Sequence, residues 1–177
     1  MKKEVIFEGR KIRLVVAQVE LPDGRTASRE VVEHRGAVVI LPLFDDGKVL
    51  LENHYRFAVG GYLIEAPAGT LEEREDPAEC ARRELAEETG LVASEMVHLG
   101  DFYSSPGVLT ELMHAYLATG LRRGHPRLEE GEVLEPVEVQ FEEAVRWALA
   151  GKIRDAKTIA ALFLAEDRVR GGQGLEL

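Results

Sequence analysis

The chain has 177 residues, of which 45% are hydrophobic and 31% charged, as expected of one globular domain with a small additional lobe. Its formal net charge of −10 argues against nonspecific binding to nucleic acid or to an anionic membrane surface. Cys80 is the only cysteine, which excludes an intrachain disulfide and a CxxC metal site. Residues 1–14 lack the pattern of a signal peptide and the longest helix-like apolar run is too short for a bilayer, so we expect a cytoplasmic protein without a membrane partner.

The start of the chain predicts three strands, with a PDG turn signal before the third. The strands are predicted at 4–7, 10–20 and 26–34. We therefore expect a small antiparallel N-terminal β lobe over residues 1–35. Gly36 marks its boundary with the main domain, residues 36–177.

In the main domain, predicted strands are interleaved with three helices. Residues 36–44 are almost wholly apolar, which is typical of a strand buried on both faces. Further strands are predicted at 49–57, 62–68, 96–103, 111–118 and 133–140, and helices at about 76–89, 141–150 and 155–168. This mixture predicts an α/β or α+β fold in which sheet is packed between helices.

The first helix carries clear signals at both ends and an uneven distribution of charge. Asp76 is a predicted N-cap followed by Pro77, and Gly90 is a predicted C-cap. Glu84 and Glu88 are four residues apart and share one flank of the helix, with Glu87 beside them. These carboxylates are either part of a solvated helix face or the ligands of a divalent cation such as Mg²⁺, which prefers carboxylate oxygens, water and substrate phosphate.

The residues around this helix follow a longer pattern with fixed spacing. The pattern begins at Gly69, continues after five residues with Glu75, and ends after seven more with the run REUXEEXGU at residues 83–91, where U is a bulky aliphatic residue. It resembles the Nudix box at every specified position. The resemblance implies a Nudix fold, an α/β/α sandwich with a mixed sheet. It also implies hydrolysis of a nucleoside diphosphate linked to another group, with two or three Mg²⁺ ions, or Mn²⁺ or Zn²⁺ in their place, activating a water molecule.

The resemblance also implies a role for each residue of the box. Glu84 and Glu88 would be the principal metal ligands, and Glu87 a further ligand or a group acting through bound water. The backbone carbonyl of Ala68 would reach a metal as well. Arg83 would orient the glutamates by salt bridges, and Glu75 would support the site.

Features outside the box resemble the ADP-ribose pyrophosphatase branch of the family. Ser105-Pro106-Gly107, which alone would indicate only a turn, lies at the distance from the box that this branch shows. The resemblance implies that Glu111, and Ser105 with it, binds the terminal ribose, and that Arg56 contacts phosphate. Without the family, Arg56 would be interpreted as an exposed arginine at a strand end.

The same branch implies a dimer and a catalytic base outside the box. Arg29-Glu30 resembles the pair that frames the adenine, often across a dimer interface, and the N-terminal lobe resembles a segment exchanged between subunits, so we expect a homodimer. The base is expected in the acidic loop before the last strand, where Glu130 is the first choice, Glu132 the second and Glu129 a third. At least two of these three would then be solvated loop charges.

These observations predict a Mg²⁺-dependent enzyme that hydrolyses ADP-ribose to AMP and ribose 5-phosphate. A broader nucleoside diphosphate sugar pyrophosphatase, acting on GDP-mannose or ADP-glucose, is the alternative within the same chemistry. A ligand-sensing domain without activity is disfavoured because such domains usually lose a box glutamate. An isomerase on the same fold is disfavoured because Cys80 lies on the box helix.

Overall fold

The computed structural model describes residues 2–128 and 133–169. Its first three strands form a separate antiparallel sheet in the order β1-β2-β3, which confirms the strands predicted near the start of the chain. They are β1 (Lys2–Glu8), β2 (Ile12–Glu20) and β3 (Thr26–His34). The division into an N-terminal lobe of residues 1–35 and a main domain stays a prediction.

Within the described residues, strands β4 to β10 form two sheets in the main body of the protein. The strands are β4 (Ala37–Pro42), β5 (Lys48–Arg56), β6 (Gly61–Glu65), β7 (Ala68–Thr70), β8 (Leu91–Tyr103), β9 (Leu112–Arg123) and β10 (Leu134–Gln140). One sheet has the order β7-β4-β9-β8 and is mixed, because β4 and β9 are parallel while the other pairs are antiparallel. The second sheet is antiparallel, in the order β10-β5-β6.

The single strand predicted over residues 62–68 is wrong in one respect. The chain forms β6 up to Glu65, breaks, and begins β7 at Ala68 in a different sheet. Pro67 has no backbone N–H, so it cannot donate a ladder hydrogen bond. Its carbonyl instead accepts from Ile40 N at 2.8 Å, which carries the chain from one sheet to the other.

The helices of the described residues are α1 (Pro77–Thr89), α2 (Phe141–Leu149) and α3 (Ala156–Val169). Helix α1 packs on one face of the mixed sheet and α3 on the other, while α2 packs against α3 and the second sheet. Alternate residues of β4 belong to two hydrophobic clusters. Val38 and Ile40 pack in the cluster that contains α1, and Val39 and Leu41 in the cluster that contains α2 and α3. This three-layer arrangement confirms the predicted α/β/α sandwich and the strand buried on both faces. No helix among the described residues is long and apolar enough to cross a membrane.

Candidate functional site

Helix α1 begins and ends at the predicted residues. The Asp76 side chain accepts hydrogen bonds from Ala78 N at 2.9 Å and Glu79 N at 3.3 Å, which satisfies two of the free N–H groups of the first turn. Gly90 has a φ of 70° and donates its N–H to Ala86 O, as a left-handed C-cap requires. With both ends defined locally, the helix presents its carboxylates toward β7.

Gly69 in β7 allows the Glu84 carboxylate to lie directly against the strand backbone. A Cβ atom at position 69 would be 1.8 Å from Cδ of Glu84 and 2.0 Å from its Oε1, far inside any allowed contact. The Glu84 side chain is only 14% exposed. A residue other than glycine would therefore displace this carboxylate from the site.

Glu88 makes the second contact between α1 and β7. Its Oε2 accepts a hydrogen bond from Ala68 N at 2.9 Å, and the residue is 5% exposed. Ala68 and Gly69 thus contact two glutamates that lie one helical turn apart. The structure brings together three of the positions that the sequence predicts as metal ligands: Ala68, Glu84 and Glu88.

Arg83 connects the remaining carboxylates of the box. It donates to both oxygens of Glu75, at 2.9 and 3.0 Å, to Glu84 at 2.7 Å and to Glu87 at 3.0 Å. These hydrogen bonds raise the pKa of Arg83, and they hold the pKa of Glu75 at about 2 against its ordinary 4.5. The guanidinium offsets part of the repulsion within the cluster, which fits the predicted orienting role of Arg83.

Glu84 and Glu88 line one wall of an open cleft of about 720 Å³, whereas Glu75 and Glu87 do not line it. Although the chain is acidic as a whole, the described residues line the cleft with basic as well as acidic side chains. The basic residues are Arg10, Lys11, Arg35, Arg56, Arg83 and Lys157, and the acidic ones are Glu72, Glu73, Glu84, Glu88, Glu111 and Asp155. This composition suits a polyanionic ligand that binds together with cations.

Arg56, predicted to contact phosphate, lies in the cleft and is held by a buried carboxylate. Its guanidinium makes two parallel hydrogen bonds to Glu65, at 2.9 and 2.7 Å, and Lys157 of α3 pairs with the same carboxylate. Burial raises the pKa of Glu65, but the hydrogen bonds and charges of Arg56 and Lys157 outweigh it and lower the pKa overall. Sequence reasoning missed both Glu65 and Lys157. The available signal concerned Glu65 alone, which is a charged residue inside the apolar strand YLIEA.

Glu111 also lines the cleft, but Ser105 does not belong to the cleft wall. Ser104 takes that place and donates its hydroxyl to Glu111 at 2.6 Å. The Ser105 carbonyl accepts from Val108 N and Leu109 N, so the SPG segment forms a turn. The roles of Glu111 and Ser105 in binding ribose stay predictions.

The remaining predicted residues lie away from the cleft or outside the described residues. Arg29 and Glu30 are exposed on β3, opposite Ala17 and Val16 of β2, and do not line the cleft. Glu129, Glu130 and Glu132, the predicted base and its alternatives, fall in the segment 129–132 that the structure does not describe. Their roles therefore stay predictions.

Strand β5 adds two residues that the sequence analysis left without a role. Ligand atoms of Glu52, His54 and Glu88 lie within 4.8 Å of one another, and all three residues are buried. Glu52, His54 and Arg56 alternate along one face of β5, and this period of two was the available signal. Glu52 does not line the cleft, but its carboxylate lies close to Glu88 and His54, both of which do.

The donor set fits a hard divalent cation. Glu84 and Glu88 supply carboxylate oxygens beside the backbone of Ala68, and Gly69 leaves the space that Glu84 occupies. Mg²⁺ takes such ligands, keeps several waters and completes its coordination with phosphate oxygens. Arg10, Arg35 and Arg56 also line the cleft, so the arrangement suits a diphosphate that binds together with a metal ion.

Comparison with known proteins agrees with this geometry. The NUDIX domain family model matches residues 33–162. The chain is 40% identical to the ADP-ribose pyrophosphatase of Bacillus subtilis over 162 residues, 90% of this chain and 88% of the relative. It is 39% identical to the methanol dehydrogenase activator of Bacillus methanolicus, over 92% of this chain and 89% of the relative.

Two further matches concern substrate range and fold. The chain is 36% identical to the GDP-mannose pyrophosphatase of Yersinia enterocolitica over 148 residues, 78% of this chain and 77% of the relative. A solved structure of an ADP compounds hydrolase superposes with a TM-score of 0.84 at 22% identity, covering 98% of this chain and 94% of that one. At that identity, the structural likeness supports the fold alone.

Proposed function

The chain belongs to the NUDIX domain family, and from this premise we propose that it is a hydrolase that cleaves the diphosphate bond of ADP-ribose to AMP and ribose 5-phosphate. The observation that carries the proposal is the contact of Glu84 and Glu88 with Gly69 and Ala68 in a cleft that also contains Arg56. The ADP-ribose pyrophosphatase of Bacillus subtilis, 40% identical, supports the substrate.

Divalent cations, Mg²⁺ foremost, would be held by Glu84, Glu88 and the Ala68 carbonyl, with Glu87 as a further ligand, and would supply neutralisation of the diphosphate and activation of water. Arg83 keeps Glu84 and Glu87 oriented by its hydrogen bonds. Glu65 accepts hydrogen bonds from Nε and Nη2 of Arg56 and fixes the guanidinium, which leaves the Nη1 donors to contact a phosphate group. Mn²⁺ or Zn²⁺ is the alternative to Mg²⁺.

The remaining roles are proposed from the family resemblance. Glu111 and Ser105 would bind the terminal ribose, Arg29 and Glu30 would frame the adenine, and Glu130 or Glu132 would act as the catalytic base. Residues 36–177 would form the catalytic domain, and the enzyme would be a cytoplasmic homodimer whose N-terminal sheet contributes to the interface.

The test uses the purified protein, Mg²⁺ and a panel of ADP-ribose, ADP-glucose, GDP-mannose, NADH and diadenosine polyphosphates. We expect the largest kcat/KM for ADP-ribose, and equal turnover of the other substrates would overturn the assignment. Glu88→Gln should lower kcat/KM by more than about 100-fold, because it removes a charged metal ligand. Glu79→Gln, on the exposed side of the same helix, is the matched control and should retain activity.

A broader nucleotide-sugar pyrophosphatase is the second candidate. The similarity to the GDP-mannose pyrophosphatase of Yersinia enterocolitica favours it. Glu84, Glu88 and Arg56 line the cleft of one chain, whereas Arg29 and Glu30, which are proposed to frame the base, do not line it. GDP-mannose and ADP-glucose in the panel separate the two candidates, since a broad enzyme would hydrolyse them at rates comparable to ADP-ribose.

A further inference from the structure

A second group of metal-ligating side chains lies on β8 and β9, outside the cleft. Ligand atoms of His98, Asp101 and His114 are within 4.8 Å of one another. Oδ1 of Asp101 lies 2.7 Å from Nε2 of His98 and 2.8 Å from Nδ1 of His114. Neither the box pattern nor the proposed hydrolysis uses these residues.

A β-bulge brings the three side chains to one face of the sheet. Residues 98 and 101 are three apart and would point to opposite faces of a regular strand, because side chains alternate with a period of two. Here the register shifts between His98 and Gly100, so His98 lies opposite Tyr116 while Asp101 lies opposite His114. Tyr116 and His114 are two apart in β9, and both positions therefore face the α1 side. Because of the inserted residue, the side chains of His98 and Asp101 lie on the same face of the sheet.

Neighbouring residues limit the movement of these three side chains but leave the group accessible to solvent. The His98 ring packs against the ring of Tyr116, with centroids 5.3 Å apart, which limits the positions of the imidazole. The side chains of His98, Asp101 and His114 are 47%, 43% and 17% exposed, so one side remains open to solvent. Burial raises the pKa of Asp101, but the hydrogen bonds from His98 and His114 outweigh it and lower the pKa overall.

We propose that His98, Asp101 and His114 form a surface site for a borderline divalent transition metal, Zn²⁺ foremost, distinct from the metal site of the cleft. Two imidazoles and one carboxylate are a common set of three protein ligands for Zn²⁺, with water in the fourth position. Adjacent ligands of a tetrahedral Zn²⁺ are about 3.3 Å apart, given metal–ligand distances of about 2.0–2.2 Å. The observed 2.7 and 2.8 Å therefore require each pair to separate by only about half an ångström.

The nitrogen donors distinguish this site from the oxygen-rich cleft. Imidazole favours Zn²⁺, Cu²⁺ or Ni²⁺ over Mg²⁺, which prefers oxygen ligands. On binding, each imidazole carries its proton on the nitrogen remote from the metal, and an imidazole that was charged releases one proton to solvent. The bound ion would link β8 to β9 near the end of β8, just before the loop that carries Ser104 and Glu111.

The experiment measures Zn²⁺ binding by isothermal titration calorimetry on chelator-treated protein in the presence of Mg²⁺. The background is the double variant Glu84→Gln, Glu88→Gln, in which the principal carboxylates of the cleft are neutral. We expect one Zn²⁺ per chain in this background. His114→Ala should weaken Zn²⁺ binding at least about 10-fold, whereas His125→Ala, which removes an exposed histidine elsewhere, should leave it unchanged.

Two results would overturn the proposal. The first is absence of Zn²⁺ binding in the background protein, in which the three proposed ligands are intact. The second is equal Zn²⁺ affinity in the His114→Ala and His125→Ala proteins, which would place the ion elsewhere. Asp101→Asn provides a second variant of similar shape if His114→Ala does not fold. Co²⁺ in place of Zn²⁺ adds a direct signal, since the visible absorption of tetrahedral Co²⁺ should disappear with the same substitutions.

Discussion

Gly69 shows how one backbone position determines the geometry of the candidate metal site. The Glu84 carboxylate occupies the space that any side chain at position 69 would need. The contact joins a strand residue to a helix residue fifteen positions later. A single methyl group at Gly69 would therefore act on the position of a candidate metal ligand rather than on the hydrophobic core. The two effects can be separated by measuring activity and stability in the same variant.

We expect Gly69→Ala to lower kcat/KM by about 100-fold or more, because a displacement of about 1 Å at a catalytic group has an effect of that size. The protein should remain folded, as judged by circular dichroism and thermal unfolding. Gly61→Ala is the matched control: its Cβ would meet no atom within 4 Å, and its φ is not positive. Wild-type activity in Gly69→Ala would mean that Glu84 is not held where the site requires it.

The ion pair between Glu75 and Arg83 gives a prediction of pH dependence. The pKa of Glu75 is lowered to about 2 in the folded protein, below its value in the unfolded chain. Its contribution to the free energy of unfolding is therefore complete above about pH 4.5 and is lost as the pH falls toward 2.

We expect Glu75→Gln to lower the free energy of unfolding at pH 7 by about 1 kcal/mol, with allowance for solvent screening. The difference between wild type and variant should shrink as the pH falls from 4.5 toward 2, measured by urea unfolding at several pH values. A difference that stays constant over this range would show that the pair does not titrate as described. Glu72→Gln, an exposed loop acid nearby, serves as the control.

At the residue scale, the sequence predicts what local chemistry controls. The N-cap at Asp76, the C-cap at Gly90 and the spacing of the box glutamates depend on residues within a few turns of one another, and the structure has them as predicted. Glu65 and Lys157 are 92 residues apart in the chain and could not be paired from sequence. The sequence also could not predict that Ser104, and not Ser105, lines the cleft, because this depends on where the SPG turn lies relative to β8.

At the scale of elements, the start of helix α3 is joined to the turn that leads into β7. The hydroxyl of Thr158 accepts from Ala66 N at 2.7 Å and donates to Asp155 at 2.6 Å, while Asp155 also accepts from Thr158 N. Thr158 is fully buried. These bonds connect α3, which also carries Lys157, to the segment that positions Ala68.

We expect Thr158→Val to lower the free energy of unfolding by about 1–3 kcal/mol, because it leaves a buried backbone N–H without its acceptor at nearly constant side-chain volume. Activity should fall as well, since the turn before Ala68 loses its support. Thr26→Val, on an exposed strand position, is the control and should change neither quantity. Equal stability of the two variants in urea would contradict the proposed coupling of α3 to β7.

The strands illustrate the limit of prediction at this scale. Apolar alternation predicts where strands occur, and the N-terminal strands and β4 are found where it places them. It does not predict which strands are neighbours, because pairing is decided by packing between distant segments. The run at 62–68 therefore had the pattern of one strand but is divided by Pro67 between two sheets. The bulge in β8 could not be predicted either, because one extra residue changes which face of the sheet the following side chains occupy without changing the composition of the strand.

At the scale of the whole molecule, the N-terminal sheet contributes to the cleft of its own chain. Arg10 and Lys11, in the turn between β1 and β2, line it together with Arg35. Strand β3 is also bonded to the loop before β9, through Val32 N to Val108 O at 2.8 Å and Thr110 N to Val32 O at 3.0 Å. A change in the position of this sheet would therefore change the lining of the cleft.

The proposed homodimer predicts an interface that includes β1. This edge strand exposes three consecutive apolar side chains, Val5, Ile6 and Phe7, and an exposed apolar edge favours pairing with another chain. We expect the double variant Ile6→Asp, Phe7→Asp to weaken the dimer at least about 100-fold, on the basis of about 1.5–3 kcal/mol for each apolar side chain that loses its burial. Sedimentation equilibrium measures this change, and Leu149→Asp, at the exposed end of α2, is the control.

The proposed role of Arg29 and Glu30 in substrate binding depends on the proposed dimer. Both are exposed on β3 and neither lines the cleft of its own chain, so a role in framing the adenine requires a second subunit to bring them to a cleft. The monomeric double variant should therefore show a raised KM for ADP-ribose with a smaller change in kcat, because the proposed metal ligands and Arg56 come from one chain. An unchanged KM in a verified monomer would show that one subunit binds the base unaided, and a monomeric wild-type protein would contradict the interface itself.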